Sequence, residues 1–290
     1  MAVVMPSSGG AAGVVDPARL AAIRRKKRRD TTISAISTTV FLVVVVTVIV
    51  TSPGWPAFRQ AFFSWPDAKE VFPSLLQGFK LTIWLFLTAE PVILVVALVL
   101  AVLRGLRSPI FTPLRGLATA YTDIVRGIPT ILLVILFAFG IPALNLQGVT
   151  SSLMFWGWMA LVVSYSAYVA EVLRAGIGSV HPSQRAAARS LGLSQAKSLR
   201  YVVLPQAIRN VIPPLLNDFI SLQKDTALLS IVGVIELTNA ANIYMGNSFN
   251  YTSLVVAAGF YILLTVPMAR FTDRYAARHN SMQQGFGANL

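Results

Sequence analysis

From Ile33 to Val50 the chain runs through apolar and small hydroxyl residues without a single charge, immediately after the basic run Arg24–Arg29, RRKKRR. As a helix rising about 1.5 Å per residue, such a stretch spans the roughly 30 Å of a bilayer's hydrocarbon. Predominantly apolar stretches, all but the last with one or more charges inside, follow at Leu75–Leu103, Leu117–Ile141, Leu153–Leu173, Ile208–Ile235 and Leu254–Ala269. With 55% apolar and only 12% charged residues, a chain of 290 residues in this arrangement belongs in lipid rather than in a soluble globule. We therefore expect an all-α polytopic membrane protein with six transmembrane helices. Pro129 should break or bend the third. The fifth is interrupted by Pro213, Pro214, Asn217, Asp218, Lys224 and Asp225.

The formal charge of +13 could belong to a nucleic-acid binder, but the placement of the cations argues otherwise. Arg24–Arg29, then Arg104, Arg107 and Arg115, then Arg174–Arg209, then Arg270, Arg274 and Arg278 each flank an apolar stretch. Pro142–Ser152 and Leu237–Tyr251 carry no Lys or Arg. That alternation places both termini in the cytoplasm of a multi-pass plasma-membrane protein and points to contact with membrane lipid, not nucleic acid. Residues 1–32 read as a disordered basic cytoplasmic N-terminus and residues 33–52 as a retained first helix. A cleaved signal peptide would have a shorter apolar core ending in small residues, whereas this one runs into TSPGWP. Trp55–Phe72, rich in aromatics, should lie on the outer membrane surface. Residues 276–290 form a cytoplasmic tail. With no cysteine, neither a disulfide framework nor a thiolate metal site is available.

Between the fourth and fifth apolar stretches lies EVLRAGIGSVHPSQRAAARSLGLSQAKSLRYVVLP, Glu171–Pro205. Its pattern is two short helices. The first is capped near Ser183; Gly192 forms a left-handed corner; Ser194 starts the second, and Pro205 ends it. Ala187, Ala188, Gly192, Val202, Leu204 and Pro205 stand at the spacing of the loop that marks permease subunits of bacterial ABC importers. The likeness continues through RGIP at Arg126, AYVAEVLRAGI at Ala167, LPQAIRNVIPPLLND at Leu204 and QKDTALLS at Gln223. Over residues 74–275 the sequence resembles the polar amino-acid branch, the histidine, glutamine and glutamate type permeases. The resemblance implies a five-helix permease core plus one added N-terminal helix. It further implies that residues 176–205 form the coupling loop, with Ser183, Ala186, Ala187, Ala188, Gly192, Leu204 and Pro205 meeting the ATPase. Two positions depart from the pattern: Ala186 stands where a glutamate is usual, and Ser183 where glycine is common.

No GxxxxGK[ST] loop, HExxH, GxSxG or paired-carboxylate constellation is present, so no catalytic residue, metal or cofactor is expected. The resemblance assigns ATP to a partner subunit, an ABC ATPase dimer in the cytoplasm. It adds an extracellular substrate-binding protein and a second permease subunit, identical or different. For the substrate, a polar amino acid, the residues costliest to place in lipid are the informative ones. Arg126 and Asp225 each adjoin a helix disturbance, so we expect Arg126 to receive the carboxylate and Asp225 the ammonium group, with Thr130 and Thr226 as hydrogen-bonding partners. Two alternatives stay open on the sequence. Arg126 and Asp225 could pair with each other for folding. The protein could also be a self-contained ion-coupled carrier or channel.

Overall fold

A computed structural model describes the backbone of residues 17–106 and 108–287 and the side chains of residues 25–106 and 108–277. Among the described residues all regular structure is helical. The chain divides into two compact units, one ending at Arg59 and the other beginning at Gln60.

The first unit is dominated by α1 (Pro17–Val50). Its side chains from Arg25 to Val50 are exposed along the whole length. Disorder was expected through residue 32, but from Pro17 onward the chain is helical and the basic run forms part of α1. Residues 1–16 lie outside the described residues. Arg, Lys and Ala are good helix formers, and nothing between Pro17 and Val50 breaks the run. After a turn at Thr51–Gly54, α2 (Trp55–Phe62) leads into the second unit.

There, α3 (Trp65–Gly105) runs for 41 residues. At about 1.5 Å per residue this is roughly twice the hydrocarbon thickness, so the helix projects beyond it. The aromatic segment expected on the surface is thus divided: Trp55–Phe62 is α2, while Trp65–Phe72 forms the opening turns of α3. A short 3₁₀ turn (Pro109–Phe111) precedes α4 (Thr112–Gly127), which is followed by α5 (Thr130–Ile135). A π turn (Leu136–Gly140) carries α5 into Ile141–Ala143. The two limbs meet at 105°. The cause is Pro129: its ring drives Ile128 into extended conformation (φ −101°, ψ 129°), and Pro129 itself sits at ψ 133°.

At the centre is α6 (Leu153–Gly178), opened by Ser152, whose Oγ accepts from the Phe155 amide. Ala160, Leu161, Ala167 and Ala170 are fully buried among Leu85, Ile93, Leu222 and Leu229. Small residues let neighbouring helices approach closely, as membrane helix packing requires. Gly176 abuts Val211, and Gly157 abuts Leu229. Then come α7 (Pro182–Ser190), α8 (Gln195–Ser198), a π turn (Leu199–Val203) and α9 (Leu204–Asp225). Pro205 therefore does not end a helix. It sits in the first turn of α9, where a missing amide costs least, and the π turn before it absorbs the extra bulk. Pro213 and Pro214 lie inside α9, which remains continuous through them. A 3₁₀ segment (Thr226–Val232) and Gly233, at φ +84°, turn the chain into α10 (Leu237–Ser248). The last helix is α11 (Thr252–Gly287). The segment Leu237–Tyr251, free of Lys and Arg, is thus mostly helix, and it packs Leu237, Ala240 and Ala241 against Val71, Leu75 and Ala257.

Among the described residues four helices are long and apolar enough to cross a membrane, and the two bent pairs, each taken as one span, raise the number to six. The six-helix expectation agrees with this. Helix α3 passes the start of α10 with backbone close to backbone. A Cβ added to Gly78 would lie 2.9 Å from the backbone of Glu236 and Leu237, and backbone has no rotamer with which to escape. Gly78→Ala is expected to lower the thermal midpoint of the purified protein, corresponding to a loss of about 1–3 kcal/mol. Gly259→Ala on α11, where a Cβ meets nothing within 4 Å, should not lower it. Equal midpoints for the two variants would contradict the close approach.

Candidate functional site

Along one side of α6 stand Ser164, Tyr165, Tyr168 and Glu171, spaced by three and four residues. Every polar side chain expected to handle substrate, save Thr226, bonds to one of them. Thr130, first residue of α5, places its Oγ1 3.0 Å from the Oγ of Ser164. Asp225, at the end of α9, accepts a hydrogen bond of 2.8 Å from the Tyr165 hydroxyl. Arg126, in the last turn of α4, stacks its guanidinium 5.8 Å from the centroid of the Tyr168 ring. The rings of Tyr165 and Tyr168 are 6.3 Å apart. A cation and an anion are thus held at opposite ends of a tyrosine pair. Thr226 is placed differently: it is fully buried, and its hydroxyl donates to the Gln223 carbonyl at 2.8 Å. It braces the turn behind Asp225.

Arg126 and Asp225 are not paired with each other. Among the described residues the ion pairs converge on Glu171. Arg104 of α3 donates to Glu171 Oε2 at 2.8 Å, Arg126 Nη1 lies 3.9 Å from the same oxygen, and Arg174 chelates the carboxylate from the next turn of α6. The spacing of Glu171 and Arg174 pointed to their pairing; the approach of Arg104, distant in sequence, could not be read. Lys224 is exposed. Asp218, on the same face of α9 as Asp225, keeps its Oδ2 buried and without a hydrogen-bond partner within the described chain. Glu90 is buried in α3, in electrostatic reach of Asp218. Glu236 is wholly buried for a different reason: its carboxylate caps α10, accepting from the Thr238 and Asn239 amides at 2.9 Å and from the Tyr261 hydroxyl at 3.2 Å.

The loop after α6 is built as a rigid corner. His181, not Ser183, caps α7: its Nδ1 accepts from the Ser183 amide at 3.2 Å, and Pro182 takes the first helical position. Gly192, at φ +80°, closes α7, with Leu193 N bonding Ala188 O and Gly192 N bonding Arg189 O. That pair of bonds with a left-handed glycine is a Schellman ending. Ser194 then caps α8, accepting from the Lys197 amide. Ala188 is buried, and Val180, Val203 and Ala207 form a small buried cluster of their own. Ala186, Ala187, Leu191, Gly192, Tyr201, Leu204 and Pro205 are exposed, Leu191 at 83%. Arg185 Nη2 donates to the Ile177 carbonyl at 2.9 Å, and Asn210 to Ser179 Oγ at 2.8 Å, tying α7 to the end of α6 and α6 to α9.

The family described as "Binding-protein-dependent transport system inner membrane component" matches residues 94–280. The chain belongs to this family. Among relatives of these permeases, the "Probable glutamine ABC transporter permease protein GlnM" of Bacillus subtilis is 35% identical over 201 residues, covering 68% of this chain and 89% of that protein. The "Glutamate transport system permease protein GluC" of Corynebacterium glutamicum is 36% identical over 221 residues, covering 71% and 96%. A chain from the "Crystal structure of an amino acid ABC transporter with histidines" superposes with a TM-score of 0.66 at 31% identity, covering 72% of this chain and 95% of that one. As a permease the protein is a transport component and not itself an enzyme. Membership in a binding-protein-dependent system also displaces the self-contained carrier.

Glu171 is the carboxylate common to these ion pairs, so its loss should exceed that of any single arginine bound to it. Glu171→Gln leaves Arg104, whose side chain is only 11% exposed, without a counter-charge. The expected destabilisation is about 2–3 kcal/mol, below the value for a fully buried pair because Glu171 retains some solvent. Arg126→Gln, at the long and more exposed end, should cost under about 1 kcal/mol. Thermal unfolding of the purified variants checks the order, and a larger loss for Arg126→Gln would refute the ranking.

Proposed function

We propose that the protein is the membrane subunit of an importer for polar amino acids, driven by ATP that a separate cytoplasmic ATPase hydrolyses. The placement of Arg126 and Asp225 carries the substrate reading. A free amino acid presents one carboxylate and one ammonium group, and any site for it needs a partner of each sign within a few ångströms. The tyrosine pair keeps the two partners apart, each with bonding capacity left over. Asp225 uses one oxygen on Tyr165, and Arg126 meets Glu171 only at 3.9 Å. Thr130 opens α5 just past the break at Ile128–Pro129, and the start of a helix leaves amides open to a carboxylate. The unpartnered oxygen of Asp218 adds a second acceptor on the α9 face. The naming of relatives for glutamine and glutamate transport supports the same substrate class.

The ATPase is taken to dock on the exposed face between Ser183 and Pro205, with an extracellular binding protein delivering substrate from the opposite side and a second permease completing the pathway. Ala186 removes the charged contact usual at that position, so docking here relies on Leu191, Leu204 and the shape of the Gly192 corner. The basic clusters at Arg25–Arg29 and at Arg270 and Arg274 support a reading with both termini on the cytoplasmic side of the plasma membrane.

Two variants separate these roles in vesicles that also hold the ATPase and the binding protein. Asp225→Asn keeps size and hydrogen bonding but deletes the charge; transport should fall by roughly ten- to a hundredfold, as for one charge-assisted bond of about 1.5–3 kcal/mol, while the ATPase still co-purifies. Unchanged transport would remove Asp225 from the site. Gly192→Val forces a branched residue to positive φ at a cost of at least ~1 kcal/mol and disrupts the Schellman ending. Here ATPase association should be lost while membrane insertion survives, and normal association would remove the docking assignment.

A further inference from the structure

We propose that Arg25–Arg29 forms a collar on α1 that binds the headgroups of anionic phospholipids. The continuity of α1 through the basic run makes this a geometric statement. In a helix each residue is rotated by about 100° from the last, so five consecutive cations encircle the axis completely within an axial band of about 6 Å. Arg25, Lys26, Lys27, Arg28 and Arg29 are all exposed, on every side of the helix. A protein partner docking from one direction would require a stripe at spacings of three and four, with the opposite side free of charge. Charge distributed all round the axis matches a partner that surrounds the helix laterally, and a leaflet of headgroups is such a partner.

The position of the band fits. Only Asp30, Thr31 and Thr32 separate it from the apolar stretch that starts at Ile33, so it lies about one turn outside the hydrocarbon. At that boundary the Thr31 and Thr32 hydroxyls donate to the carbonyls of Lys27 and Arg28 at 2.8 and 2.9 Å, satisfying polar groups locally so that the helix passes from one medium to the other unbroken. Lys and Arg can further bend their stems toward the phosphate level. Asp30 is the one acidic residue between Pro17 and Thr32, so the band carries a large surplus of positive charge. Orientation in the membrane accounts for an excess of cations near the helix end but is indifferent to their distribution around the axis. Lipid selectivity depends on that distribution, because every bound headgroup needs a nearby cation.

The test uses the full-length protein in detergent micelles containing equal amounts of phosphatidylglycerol and phosphatidylcholine, with retained lipids counted by native mass spectrometry. The wild type should retain phosphatidylglycerol in several-fold preference, and the preference should collapse as salt rises from 0.05 to 0.5 M, since the screening length falls well below its value of about 10 Å at 0.1 M. Lys26→Gln, Lys27→Gln and Arg28→Gln combined, which leave Arg24, Arg25 and Arg29 to set orientation, should reduce the preference at least threefold. Arg270→Gln with Arg274→Gln, removing exposed cations elsewhere, should reduce it less. Equal retention of the two lipids by the wild type, or a preference indifferent to salt, would overturn the proposal. So would a triple variant with undiminished preference, and the collar would then fall to an acidic protein surface. If the triple variant cannot be produced, the salt series on the wild type decides the matter alone.

Discussion

Hydrocarbon offers no water to a backbone amide, so each interruption of a membrane helix has to be satisfied by the protein itself. This chain interrupts its helices repeatedly, and each break has a local remedy. Where α10 begins, the buried Glu236 carboxylate takes the free amides of Thr238 and Asn239 and is held in turn by Tyr261. The 3₁₀ segment after Asp225 recovers its geometry through Gly233 and a bond from Val234 N to Leu229 O. At Ile128–Pro129 the missing proline amide coincides with the turn, so one fewer donor needs a partner. The broken elements are also those that carry Arg126, Thr130 and Asp225. In this fold the backbone irregularities and the polar side chains occupy the same positions because each makes the other tolerable.

The charges obey a related constraint. Three guanidiniums share the single carboxylate of Glu171, an arrangement with a net positive excess. The attraction falls with distance and solvent, so Arg104, short and shielded, is fixed, whereas Arg126, long and 39% exposed, is held loosely. A weakly held cation stacked on Tyr168 can exchange Glu171 for another carboxylate at little cost. That combination suits a transient ligand better than a structural pair would.

Much of the fold was legible because apolar stretches and basic clusters reflect a single medium. The six candidate spans, the break at Pro129 and the left-handed Gly192 all follow from local steric and solvation rules. What escaped was set by contacts distant in sequence. Pro205 reads as a stop and Pro213 and Pro214 as interruptions, yet α9 opens on the first and runs unbroken through the other two, because packing of Val211, Ile220 and Leu222 outweighs the loss of isolated backbone bonds. His181 was overlooked as a cap since histidine is rarely one, although its place before Pro182 was visible. Around the candidate site, charge and context nominate Arg126 and Asp225, with Thr130 and Thr226 beside them, but not the α6 side chains that Arg126, Thr130 and Asp225 touch. The stretch SYSAYVAE does place Ser164, Tyr165, Tyr168 and Glu171 at helical spacing within an apolar helix. That Arg104 meets Glu171 could not be inferred without the packing of α3 on α6.

Helix α6 joins these parts mechanically. Its C-terminal end is tied to α7 by Arg185 on the Ile177 carbonyl, and to α9 by Asn210 on Ser179. From Ser179 back to Tyr165 is about 21 Å of helix at 1.5 Å per residue, with no proline between them to bend it. Close-packed helices transmit displacement rather than absorb it. A push on the exposed face of α7 must therefore either break the bonds at Ile177 and Ser179 or carry α6 along. If α6 moves, Tyr165 and Tyr168 move with it, while Arg126 and Asp225 ride on α4 and α9. Because those two residues touch α6 from different helices, a small rotation of α6 alters the distance between the cation and the anion. The same tyrosine pair that holds the two charges apart is thus the element through which force at the loop would change the site.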